Sequence, residues 1–272
     1  LAAVRQAGLN GATIARTVGL AGTDSTGRWK VGVRFNPAGP GAGIWFNAAV
    51  RVLLANARVV GHATCLGPGR RRVRMVEHLL AACYGLGITD LAVATSGAEL
   101  PLGDGSAEPY VRLFRKAGIV RYREGPDKAR LARPVLVKDG ARFIAAVPAE
   151  GLTVNCLTHF PEFGPQFCSF APASASFVSE IAPARTFAQT RVAPSTLRRR
   201  LGLRFGLNRV GRFVCPAQSR FLHEPCRHKA LDLVGDLALL GRPLGAAVFA
   251  FMPGHRLNLL FARRIEKELE AG

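Results

Sequence analysis

Arg227-His228-Lys229-Ala230-Leu231-Asp232-Leu233-Val234-Gly235-Asp236 is a helical stretch with a polar stripe down one side. His228, Asp232 and Asp236 recur every four residues, which stacks their side chains one turn apart on one face. Leu231, Leu233 and Val234 lie among the positions between. An imidazole and a carboxylate one turn apart can grip a divalent cation if a third ligand arrives from elsewhere. The other stretch that can supply it is Met75-Val76-Glu77-His78-Leu79-Leu80, 150 residues earlier. A lone histidine on an apolar helix is commonly a hydrogen-bonded core residue. Glu77 beside it resists that reading, because a buried carboxylate needs partners. His78, His228 and Asp232 are therefore the candidate metal ligands, and Glu77 the candidate general base for metal-assisted hydrolysis.

A site assembled from residues so far apart implies two halves that meet. The chain reads that way. Trp29 to Phe35 alternates apolar and polar with the period of a half-buried strand, and short strands are expected at 43–46 and 50–54. A buried helix is expected from Val76, ending at Gly85. A strand at 90–95 and a helix at 110–117 follow, the latter stopping at Gly118. Ser106 is a plausible helix cap. The polar run 125–133, with Gly125 and Pro126, reads as a linker. The second half repeats the order: strands at 133–137, 142–147 and 151–158, a helical segment after Phe187, a long helix over 226–240, an apolar strand at 245–251 and a last helix at 258–270. Strands followed by helices, twice, predict an α+β fold: two similar two-layer α/β sandwich domains, 1–124 and 134–272, with the active site between them.

Pro253-Gly254-His255-Arg256 follows the apolar strand, so His255 is expected to protrude from a strand end. Held by a carboxylate such as Asp236, it would be an imidazolium able to protonate a leaving amine. Lys229 adds a positive charge beside the ligand helix, useful for an oxyanion or a phosphate. His62 and His223 have no partner at ligand spacing.

With 272 residues, 49% hydrophobic, the chain can bury a substantial core. Its net charge of +19 draws anions of three kinds: a phosphorylated substrate, nucleic acid, or an acidic membrane surface. There is no interleaved aromatic–basic pattern and no known nucleic-acid motif, so nucleic acid is not an expected partner. None of the six cysteines falls in a Cys-x-x-Cys pair, and their scatter through apolar segments suits reduced thiols. No stretch is long and apolar enough to span a bilayer, since 231–252 carries Asp232, Asp236 and Arg242. No secretory leader is visible, and a cytoplasmic location is expected.

Together these residues resemble the zinc-dependent UDP-3-O-acyl-N-acetylglucosamine deacetylases. Val76-Glu77-His78-Leu79 with Gly85-Leu86-Gly87-Ile88 resembles the family's first metal block. Glu99-Leu100-Pro101-Leu102 with Asp104-Gly105-Ser106-Ala107 resembles a loop block, and Ala184-Arg185-Thr186-Phe187 another. Arg227-His228-Lys229 through Asp236, then Gly254-His255, resembles the second metal block and the catalytic histidine. The blocks occur in family order over most of the chain. The chain departs from the family pattern at Ala21, at Arg74-Met75 and in the insert at about 197–216. The resemblance implies two α+β sandwiches with the site between them, and removal of acetate from UDP-3-O-(3-hydroxyacyl)-N-acetylglucosamine, the committed step of lipid A biosynthesis. It implies Zn2+ on His78, His228 and Asp232, Glu77 as base, Thr186 and Lys229 on the oxyanion, His255 oriented by Asp236 as acid, and Phe187 and Lys229 against the substrate. A monomer open to peripheral contact with the inner membrane is expected. The altered insert leaves a rival substrate, another N-acetylated sugar or nucleotide sugar; the charge leaves a rival class, a non-catalytic basic nucleic-acid binder.

Overall fold

The computed structural model describes residues 11–123 and 125–270. Residues 1–10 and 124 of the first expected span, and 271–272 of the second, lie outside the described residues.

The fold is α+β, and its two halves share one strand order. In the first, the hairpin Val18–Thr23 and Lys30–Pro37 lies beside a central strand, Leu91–Thr95. That strand runs antiparallel to Lys30–Pro37 and parallel to Ile44–Phe46, which turns back into Val50–Arg51. In the second, the hairpin Val135–Asp139 and Arg142–Pro148 lies beside the central strand Leu244–Phe251. This strand runs antiparallel to Arg142–Pro148 and parallel to Thr153–Phe160, which turns back into Gly164–Phe170. The alternation read from the sequence sets which way each strand faces. Val31, Val33 and Phe35 are buried while Lys30 and Arg34 are exposed.

Between the fourth strand and the central strand, each half carries an insert and then a helix. The first insert is the small sheet Ala57–Val60, Ala63–Leu66 and Val73–Arg74, followed by α1 (Glu77–Leu86). A second helix, α2 (Glu108–Ala117), leaves the first central strand and packs on its sheet through Phe114, whose ring meets Phe35 edge-on at 5.0 Å. The second insert holds α3 (Pro194–Leu201) and the sheet of Ala188–Gln189, Leu207–Val210 and Phe213–Pro216. It is followed by α4 (Glu224–Leu237), and α5 (His255–Glu270) leaves the second central strand.

Helices α1 and α4 pack against each other between the two sheets. That packing buries Leu79, Leu80, Ala81 and Ala82 on α1 and Leu231, Leu233, Val234 and Leu237 on α4 completely. It also buries Glu77 and His78 of α1 and the stripe His228, Asp232 and Asp236 of α4.

Several local expectations are corrected. Helix α1 does not end at Gly85 but runs to Leu86, with Gly87 as the left-handed cap at φ +70°. Gly85 is instead a packing residue, because a Cβ there would lie 2.2 Å from the Phe177 ring. The expected linker is partly structured, since Ala129–Arg130 joins the second sheet parallel to Leu244–Phe251. A short strand, Ala188–Gln189, intervenes between Phe187 and the helix expected after it. His255 is the first residue of α5 rather than a strand-end residue.

Gly235 of α4 packs directly against the backbone of α1. A Cβ on it would lie 2.1 Å from the carbonyl oxygen of Glu77. Backbone cannot yield as a flexible side chain can, so Gly235→Ala is expected to force α1 and α4 apart. Overpacking of this kind costs about 1–3 kcal/mol. Thermal unfolding should show it as a lowered Tm, together with lost turnover.

Candidate active site

The site lies where the N-termini of α1 and α5 meet the middle of α4. His78, His228 and Asp232 are all buried, and one ligand atom of each lies within 4.8 Å of the other two. The Nε2 atoms of His228 and His78 stand 3.5 and 3.7 Å from the same oxygen, Asp232 Oδ1. His228 Nδ1 sits 3.0 Å from the carbonyl oxygen of Ala184, so Nδ1 carries the proton and Nε2 is left as the ligand atom. Burial pulls both imidazoles below their ordinary range, His78 to about 3, with the neighbouring His228 adding to the effect. Burial works against the Asp232 carboxylate, but Lys229 and the surrounding histidines outweigh it and hold the group ionised. Two neutral imidazoles and one carboxylate converging on one point form a donor set that fits a divalent cation.

Glu77 is almost wholly buried, and burial pushes its carboxyl up to about 7, partly offset by the charge of His255. Its Oε1 lies 3.6 Å from His255 Nε2. His255 Nδ1 lies 2.8 Å from Asp236 Oδ2. Burial would lower the His255 pKa, but Asp236 and Glu77 outweigh it and push it up to about 10. A carboxyl that titrates near neutrality thus lies directly beside an imidazolium, next to the metal-ligand cluster. These are the groups a base and an acid need.

Lys229 Nζ makes a 2.7 Å ion pair with Asp232 Oδ2 and lies 5.7 Å from the Phe187 ring centroid. Burial lowers its pKa, but Asp232 raises it further, so the ammonium persists. Thr186 and Phe187 line the same cleft. The Gly105 carbonyl accepts the Thr186 amide at 2.8 Å, and a Cβ on Gly105 would meet Thr186 at 2.8 Å. That close packing gives the loop 104–106 its role as a brace. The Ala184-Arg185-Thr186-Phe187 stretch divides its labour. Ala184 orients His228, and Arg185 forms a buried ion pair with Glu224 at the head of α4. Thr186 and Phe187 face the cavity. His62 lines the cavity without joining the ligand cluster, and His223 Nδ1 approaches the Phe167 backbone.

Sequence reading missed two residues at the centre, Thr64 and Asn258. Both are fully buried and both bond Asp236. Asn258 lies three residues beyond His255, which for a helix beginning at His255 puts the two on one face. Thr64 had only its polarity amid Ala63, Cys65 and Leu66 to signal it.

The cleft opens into a cavity of about 650 Å³. Its lining includes Leu197, Leu201, Leu203, Phe205, Leu207 and Val214, all from the second insert. Arg74, Arg142 and Arg212 also line it. One cavity is therefore lined by the buried ionisable cluster, by apolar side chains of the second insert and by several cations.

The family model for UDP-3-O-acyl N-acetylglycosamine deacetylase matches residues 11–267. The chain belongs to that family. It is 37% identical over 229 residues to the UDP-3-O-acyl-N-acetylglucosamine deacetylase of Chlamydia pneumoniae, covering 81% of each chain. The deacetylase of the same name from Solibacter usitatus is 34% identical over 271 residues, 93% of this chain and 90% of its own. That of Thermosynechococcus vestitus is 37% identical over 214 residues, 76% and 74% respectively. Family membership agrees with a hydrolytic site of buried carboxylates and imidazoles, and the deacetylase reading displaces that of a non-catalytic basic binder.

Proposed function

We propose that this chain hydrolyses the N-acetyl group of a UDP-3-O-acyl-N-acetylglucosamine, with zinc held by His78, His228 and Asp232. The observation that carries the reading is the convergence of Glu77, His255 and that donor set in a cavity that apolar side chains of the second insert also line. A zinc ion there would supply Lewis acidity toward the acetamide oxygen and acidify water. Glu77 takes the proton of the attacking water. Thr186 and Lys229 donate to the oxygen that becomes negative as the carbonyl carbon turns tetrahedral. His255, fixed by Asp236, gives its Nε2 proton to the departing amine, so that acetate and a free amino sugar leave. Phe187 packs against the sugar, and the apolar lining from the second insert takes the acyl chain. That lining favours an acylated substrate over an unacylated nucleotide sugar. The two halves act as two domains, with 1–124 supplying Glu77 and His78 and 134–272 supplying the rest.

Acetate release from the acylated UDP-sugar, measured with a chelator and after zinc restoration, tests this. Release abolished by the chelator and restored by zinc is expected. Faster release from unacylated UDP-N-acetylglucosamine would overturn the substrate assignment. The pH profile follows from the two groups. Glu77 works as the anion and His255 as the cation. Turnover should therefore rise with pH up to about 7, where Glu77 ionises, and fall as His255 loses its proton at about 10. A bound cation draws both limbs lower.

We further propose cytoplasmic action as a monomer that touches an anionic membrane surface. Among the described residues no helix is long and apolar enough to cross a membrane. The outer face of the second sheet exposes Leu136, Phe143, Val147, Leu157, Phe167 and Phe249 in a chain of net charge +19. Arg142 and Met252, which line the cavity, adjoin Phe143 and Phe251 in sequence. The protein should sediment with phosphatidylglycerol vesicles and not with phosphatidylcholine vesicles, and Phe143→Ser with Phe249→Ser should abolish it. A concentration-dependent dimer lost in the same variant would assign the face to a second copy instead.

A further inference from the structure

Thr64 lies on the strand Ala63–Leu66 of the first insert, fully buried. A buried hydroxyl costs free energy unless its hydrogen bonds are made. Here they are made on the His255 side of the proposed proton-transfer pair, while the backbone amide of the same residue reaches Glu77. The Thr64 hydroxyl donates to Asp236 Oδ1 at 2.5 Å, and its oxygen lies 3.2 Å from His255 Nδ1. The Thr64 backbone N–H donates to Glu77 Oε2 at 3.1 Å. The other Asp236 oxygen, Oδ2, takes His255 Nδ1 and Asn258 Nδ2, each at 2.8 Å.

The consequences follow from counting donors. With Thr64 on one oxygen and Asn258 on the other, the Asp236 carboxylate has one orientation. His255 must then donate through Nδ1, which leaves Nε2 aimed at Glu77 Oε1, 3.6 Å away. Glu77 comes from α1, Asp236 from α4 and His255 from α5. Thr64 is bonded to Glu77 by its amide and to Asp236 by its hydroxyl. We infer that Thr64 is a positioning residue that sets the placement of His255 against Glu77, holding the two proton-transfer groups in register across the interface between the halves.

The inference rests on the proposed roles of Glu77 and His255, and its test has a readout that does not need them. Thr64→Val keeps the shape and the backbone amide and removes only the hydroxyl; Thr64→Ser keeps the hydroxyl. A hydrogen bond to a charged group is typically worth about 10–100-fold. Thr64→Val is expected to lower kcat by about that factor with KM little changed, while Thr64→Ser recovers most of it. In parallel, the Nδ1–H proton resonance of His255, assigned by its loss in His255→Gln, should shift in the valine variant and return in the serine variant. A valine variant with wild-type kcat and an unmoved resonance would overturn the inference, as would a serine variant as impaired as valine. If the wild type releases no acetate, the functional reading fails, and the resonance alone still decides whether Thr64 holds His255.

Discussion

Glu77→Gln should lose about 10²–10⁴-fold in kcat while the protein keeps its fold and its metal, because general-base catalysis contributes on that order. The loss is about 2.7–5.4 kcal/mol of transition-state stabilisation at 1.36 kcal/mol per decade. Glutamine has the shape of glutamate and an amide oxygen that can still accept the Thr64 amide. What it lacks is a lone pair basic enough to take a proton. Burial is the reason the wild-type carboxyl is matched to the task. It lifts Glu77 to about 7, so the group is anionic over part of the neutral range and still an effective base. Glu77 is outside the donor set of His78, His228 and Asp232, so bound metal should stay stoichiometric. Elemental analysis of the purified variant beside a turnover assay checks both halves of the expectation. Near-wild-type turnover would remove Glu77 from the mechanism. Loss of metal along with turnover would instead make Glu77 part of the ligand environment.

Much of this site could be read before the fold was known, and the reason is local. His228, Asp232 and Asp236 share one helix, and a period of four needs no tertiary knowledge to interpret. The alternation of Val31, Val33 and Phe35 is likewise a property of one strand. What could not be read depends on contacts between distant elements. Gly85 looks like a terminator until Phe177 is seen over it, and Gly235 looks like a weak point in a helix until Glu77 is found against it. Thr64 and Asp236 are 172 residues apart. The second insert failed for a different reason. Its strands are two to four residues long, too short to show a period, and its apolar residues line a cavity rather than a core.

Asp232→Ala should abolish both tight metal binding and turnover, and added zinc should not restore either. Asp232 is the one anionic member of the donor set, and both imidazoles turn toward its Oδ1. Without it, two neutral histidines remain, one ligand short of the three that open catalytic sites use. Its second oxygen also holds Lys229 at 2.7 Å, so the substitution releases that ammonium from its place beside Phe187. The expected loss is larger than for the base. Metal polarisation of a carbonyl is worth several kcal/mol, which at 1.36 kcal/mol per decade is about 10³-fold or more, and the Lys229 contribution goes with it. Chelated wild-type protein is the matching control: it should show the same loss of turnover and recover on zinc addition, because its ligands are intact. The distinction matters for stability too. Ligands gathered by folding bind metal better in the native than in the unfolded chain, so zinc should raise the Tm of the wild type. The Tm of Asp232→Ala should be insensitive to zinc. A variant that retains stoichiometric zinc and a zinc-dependent Tm would mean that a fourth residue completes the site, and Glu77, with its carboxylate turned toward the same cluster, would be the first to substitute next.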